Sequence, residues 1–224
     1  MNRYRTKVQI AAKLASIGLM TLFFASSGNA QVSATDSPKF ERNITPPAMP
    51  EKIPVDPGFV AFLEGHGVGT QNYVCRPSGS GFAFKLFTPQ ATLFGDNGKQ
   101  LITHFFSPNP FEVNADPTVV GDHTIRATWQ DSQDTSTVWA KVDQSSSDAP
   151  FVAPDAIPCL KLEVVGAQDG PTGDNTLAPT KFIQRLNTSG GLAPSTGCSS
   201  PSDVGNEAFV PYTADYFFYK RASQ

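Results

Sequence analysis

The stretch "ATLFGDNGKQLITHFF" runs from Ala91 to Phe106. Two runs rich in β-branched and aromatic residues flank "GDNGK". The Asn97-Gly98 pair is a hairpin signal, because a two-residue turn of type I′ needs positive φ at both central positions. The stretch therefore predicts two antiparallel strands joined by a tight turn.

Working outward from it, the same grammar repeats. "FVAFLE" (Phe59–Glu64), "VGTQNYVC" (Val68–Cys75) and "FAFKLF" (Phe82–Phe87) precede the hairpin. "HTIRATW", "STVWAKV", "CLKLEVV", "TKFIQRL" and the closing "VPYTADYFFYK" (Val210–Lys220) follow it. Gly, Pro, Ser, Asp and Asn punctuate these runs, and helical periodicity is weak. The chain reads as all-β: a single-domain antiparallel β-sandwich or barrel of about nine or ten short strands. Alternation alone does not choose between sandwich and barrel. "GHGVG" (Gly65–Gly69) lacks the spacing of a dinucleotide loop and reads as a flexible turn.

The N-terminus reads as a targeting segment. Arg3, Arg5, Lys7 and Lys13 precede the apolar run "LASIGLMTLFFA", and Gly28 and Ala30 supply the small residues of a cleavage site. Residues 1–30 are expected to be a signal peptide, and the apolar run is shorter than the roughly 20 residues a membrane span needs. Residues 31–56 carry five prolines and read as an extended lead-in, leaving 57–224 as the β domain. The protein is thus expected to be exported, periplasmic or secreted, with no transmembrane segment in the mature chain. Cleavage after Ala30 leaves 13 basic against 20 acidic residues, a net charge of −7. That balance disfavours nucleic acid as a partner.

Three cysteines remain, Cys75, Cys159 and Cys198. Cys159 sits in the apolar run "IPCLKL" and reads as a buried hydrophobe. The favoured pair is Cys75–Cys198, against the alternative of three free thiols. No CxxC or Cys/His spacing suggests a zinc site.

Four segments together carry a resemblance: "GVGTQNYVC", "LITHFFSPNPFE", "IQRLNTSGGLAPSTGC" and "VPYTADYFFY". The chain resembles domain-of-unknown-function family 3455, small secreted bacterial and fungal proteins. The resemblance runs from about Pro54 to Tyr219. It implies an exported single domain and supports pairing Cys75 with Cys198. It implies no activity. Cys159 stands where the family more often has a large aromatic residue, which fits an unpaired thiol.

Candidate chemistry is sparse. His66, His104 and His123 share no short ligand spacing, and the reading assigns no metal and no cofactor. His104 reads as a histidine hydrogen-bonded at a sheet rim, and His66 and His123 as surface residues in turns. Asp96, Asn97, Asp169, Asp174 and Asn175 match no EF-hand pattern. There is no GxSxG elbow around Ser80. Trp129, Trp139, Tyr73, Tyr212, Tyr216 and Tyr219, with Gln71, Asn72, Gln184 and Asn187, could contact a sugar. Asp215 lies among aromatic residues and needs partners, from backbone amides, a hydroxyl or a cation such as Arg185. The candidate ligand-binding residues are His104, Trp129, Trp139, Asn187 and Asp215. The leading reading is an exported, non-enzymatic extracytoplasmic domain. Its partner would be a small molecule, a glycan such as envelope carbohydrate, or a protein. The alternative is a hydrolase or metal-dependent enzyme with its site near His104.

Overall fold

The computed structural model describes residues 44–114, 123–171 and 173–223. The segment read as a signal peptide and the lead-in up to residue 43 lie outside them. Eight antiparallel strands close into a barrel in chain order. They are β1 (Phe59–Ser78), β2 (Gly81–Phe94), β3 (Gln100–Val113), β4 (His123–Asp131), β5 (Thr137–Ser146), β6 (Cys159–Gln168), β7 (Phe182–Gly190) and β8 (Glu207–Arg221). Closure removes the free sheet edges that an open antiparallel sheet would expose. The seam is β1 against β8, with His66 opposite Asp215 and Gly69 opposite Tyr212. No helix among the described residues is long and apolar enough to cross a membrane.

The expected sandwich-or-barrel choice thus resolves to a barrel, with fewer and longer strands. Beta1 alone absorbs "FVAFLE", "GHGVG" and "VGTQNYVC", so the expected turn at Gly65–Gly69 is continuous strand. The reason is steric. A Cβ on Gly67 would meet the Tyr216 ring at 2.8 Å, and one on Gly69 would meet the Gln90 carbonyl oxygen at 2.0 Å. These glycines make room for neighbouring strands rather than bending the chain. The hairpin at Asn97-Gly98 forms, but not as type I′. Only Gly98 has positive φ (74°), and Gly98 N–H donates to the Gly95 carbonyl at 2.8 Å. Asn97 instead accepts from the Lys99 amide through its side chain.

Strand alternation sorts the side chains into two layers. Leu93, Ile102, Trp129, Val138, Leu162, Ile183, Tyr216 and Phe218 pack inside the barrel. Ile53, Ala61, Val152, Cys159, Leu186, Phe217 and Tyr219 form a second cluster, joined by Ile44, Met49 and Val55 from the segment ahead of β1. That segment is held by more than apolar contact. Gln184 donates to the Ile53 carbonyl and accepts from the Tyr219 hydroxyl. Full burial of each large apolar side chain contributes about 1.5–3 kcal/mol.

Cys75 and Cys198 form a disulfide with Cα atoms 5.4 Å apart, as the sequence reading favoured. Cys159 is free and buried. The disulfide ties the β7–β8 connection to the end of β1, where Cys75 also exchanges backbone hydrogen bonds with Gly205 and Asn206.

Candidate ligand site in the barrel lumen

One end of the lumen is filled by aliphatic and aromatic side chains; the other holds a cavity of about 260 Å³. Beta1 contributes Gln71 and Tyr73, β3 His104 and Phe106, β4 Ala127 and Trp129, and β7 and β8 Arg185 and Tyr216. Leu86, Val142 and Leu192 also line it and are 41%, 55% and 42% exposed, so the cavity opens to solvent between them. An engineered cavity of about 150 Å³ takes a benzene ring, so this one has room for roughly ten non-hydrogen atoms.

The polar groups on this wall are few. His104 is buried and stacks on Trp129 with ring centroids 4.1 Å apart. Its Nδ1 lies 2.9 Å from the Thr128 carbonyl oxygen and so carries the proton, leaving Nε2 as the acceptor. Burial pushes its pKa down to about 3; the bond to Thr128 opposes that and the nearby Arg185 charge assists it. His104 is therefore neutral at ordinary pH. Tyr73 donates to the Gly191 carbonyl at 2.6 Å, and the Tyr212 and Tyr216 hydroxyls lie 3.0 Å apart. Burial holds all three phenols above their usual range. The side-chain N–H groups of Gln71 and Trp129 are buried without a hydrogen-bond partner. Gln71 approaches the Tyr212 hydroxyl without closing a bond.

The candidate residues from the sequence separate into three places. His104 and Trp129 share the lumen. Trp139 faces outward; its Nε1 donates to the Ser107 hydroxyl at 2.9 Å and its ring meets Phe111 edge-on. Asn187 and Asp215 meet on the outer wall, where Asn187 Nδ2 donates to Asp215 Oδ2 at 2.7 Å.

Asp215 does find partners, but Arg185 is not among them. Leu186, not Arg185, stands opposite Asp215 in the register, so Arg185 falls on the lumen face beside Tyr216. The other partner is His66, whose Nδ1 lies 2.7 Å from Asp215 Oδ1 while its Nε2 lies 3.0 Å from Asp96. His66 is therefore a mid-strand residue in an ion-pair network, not a turn residue. The hydrogen bond to Asp215, then that to Asp96, raises its pKa above 6.5. Glu64, His66 and Asp215 place ligand atoms within 4.8 Å of one another. Both His66 nitrogens are already engaged by carboxylates, so the group reads as a salt-bridge network. A broad open depression beside it, bounded by Thr45, Phe62, Glu64 and Asp96, lies outside the barrel.

Of the other lumen residues, the sequence reading weighed Gln71 as a sugar-contacting amide, and it is Arg185, expected beside Asp215, that lies elsewhere than expected. The available signal was parity. Ile183 and Arg185 share a face on "FIQRL", and Tyr212 and Tyr216 share one on the last strand.

Fold and site together define a small eight-stranded antiparallel barrel with a chamber at one end of its lumen. The chain belongs to the family described as "Protein of unknown function (DUF3455)", whose model matches residues 58–220 and so spans all eight strands. No curated protein and no solved structure matches it.

Proposed function

We propose that the barrel is the binding chamber of an exported protein that takes a small, mainly apolar molecule into its lumen. The observation that carries this reading is the pair of buried donors without partners, on Gln71 and Trp129, in the wall of the cavity. A buried donor left unpaired costs about 1–3 kcal/mol. An acceptor group on a guest offsets that cost, while the apolar body of the guest is matched by Leu86, Leu160, Leu162 and Phe106. Export is inferred from the basic, apolar and small-residue layout of residues 1–30. The disulfide agrees with an oxidising compartment.

The lining favours binding over hydrolysis. Among the described residues it contains no serine, threonine, cysteine, aspartate or glutamate, and the His104 ring bonds to a carbonyl rather than to a nucleophile. It also shifts the guest away from carbohydrate, whose many hydroxyls would stay unpaired against such a wall.

Calorimetric titration with 3-phenylpropanol tests the reading. One saturable site is expected, and Ala127→Phe, which fills the cavity, should abolish it. No saturable heat, or binding that Ala127→Phe leaves intact, would overturn the proposal.

A further inference from the structure

Among the described residues that line the cavity, Arg185 is the one with a formal charge. Its Nε and Nη2 both donate to the Pro158 carbonyl, at 3.2 and 2.9 Å, and this fork fixes the guanidinium plane. The side chain also reaches the Tyr216 hydroxyl. Among the described residues, no carboxylate lines the cavity and no ion pair includes Arg185. The contrast with other part-buried cations is sharp. Arg126 is held by Glu112 at 2.8 and 2.9 Å, and Lys161 lies 3.0 Å from Asp143. Where a cation leaves water on the outer wall, a carboxylate meets it. Inside the lumen, Arg185 meets only a neutral carbonyl and a phenol.

We infer, on the reading that the lumen binds a guest, that the guest is a small carboxylate: one anionic head on an apolar body of roughly ten non-hydrogen atoms. Three observations converge on this. The guanidinium fork matches a carboxylate in plane and charge, and two of its five N–H groups are taken by Pro158. Gln71 and Trp129 add donors on the same wall, and donors are what an acceptor-only carboxylate requires. His104 is neutral with its proton turned to Thr128, so among the described lining residues the complementary charge is that of Arg185. Apolar lining on the remaining sides lowers the local dielectric and strengthens the pairing.

The test uses one carbon skeleton with three heads: 3-phenylpropionate, 3-phenylpropanol and 3-phenylpropylamine, titrated into the full-length mature protein. Octanoate serves as a second carboxylate and separates aromatic from aliphatic acids. The carboxylate should bind at least about tenfold more tightly than the alcohol, and the amine more weakly than the alcohol. Arg185→Met should reduce the carboxylate-to-alcohol ratio to about twofold or less, and Arg185→Lys should retain part of the ratio. A thermal melt of each variant checks that it folds. Equal affinity of acid and alcohol in the wild type would overturn the carboxylate inference and leave the binding reading standing. Failure of all probes, alcohol included, would overturn both.

Discussion

His66 and Asp215 face each other across the strand pair that closes the barrel, with Nδ1 2.7 Å from Oδ1. This ion pair sits on the outer wall, and Asn187 and Asp96 extend it on either side. It is the polar stitch of the seam, and the lumen side of the same seam is glycine against tyrosine. His66→Asn should therefore lower stability modestly, by under about 1 kcal/mol, because the pair is part-exposed. The pH dependence has a definite sign. The folded pKa of His66 lies above 6.5, so its contribution is complete below about 6.5 and is lost as pH rises through the folded value. Thermal melts of wild type and variant should converge above that value and separate below it.

His104 has the opposite sign. Its folded pKa of about 3 lies below the ordinary 6.5, so the neutral ring stabilises the barrel above 6.5. That stability is lost as pH falls from 6.5 toward 3, at about 1.4 kcal/mol per pH unit. His104→Gln should flatten the acid limb of a denaturation profile between pH 6.5 and 4. An unchanged acid limb would mean that His104 does not control it.

The disulfide joins two tasks. Cys75 and Cys198 are 123 residues apart, and closing a loop of that length stabilises by roughly 4–5 kcal/mol on the chain-entropy model. The bridged connection also contains Gly191, which accepts the Tyr73 hydroxyl, and Leu192, which lines the cavity mouth. Cys198→Ser should lower the urea midpoint and also speed guest release in stopped-flow measurements, with a smaller effect on association. A stability loss with unchanged release would place the disulfide outside the mouth's mechanics.

Gly67 is where β1 passes closest to Tyr216. Gly67→Ala puts a methyl 2.8 Å from the ring, and overpacking of this kind costs about 1–3 kcal/mol. Since Tyr216 stands between Gly67 and the cavity, the variant should also weaken binding. Melting temperature and guest affinity should fall together.

The β class was legible because alternating apolar runs bounded by Gly, Pro and Asn have few other uses. Closure was not, because it depends on pairing β1 with β8, and strand pairing leaves no mark in either strand alone. Gly65, Gly67 and Gly69 misled for a related reason: a glycine that makes room for atoms of another strand looks the same in sequence as one that turns the chain. The disulfide was readable from the apolar setting of Cys159, which removed one thiol from contention. Asp215 was expected to need partners and has them, but choosing His66 over Arg185 required knowing which face of β7 meets which face of β8. The lumen site was half visible: His104 and Trp129 were named, while Gln71 and Arg185 become wall residues only once the barrel closes around them.

Trp129 offers the most direct test of the lumen as a binding chamber, since the chain has two tryptophans and Trp139 lies on the outer wall. In a Trp139→Phe background, emission reports on Trp129 alone, and 3-phenylpropionate is titrated against it. The expected result is a saturable change with one-to-one stoichiometry that disappears when Ala127→Phe fills the cavity. A linear, unsaturable change, identical with and without Ala127→Phe, would contradict it.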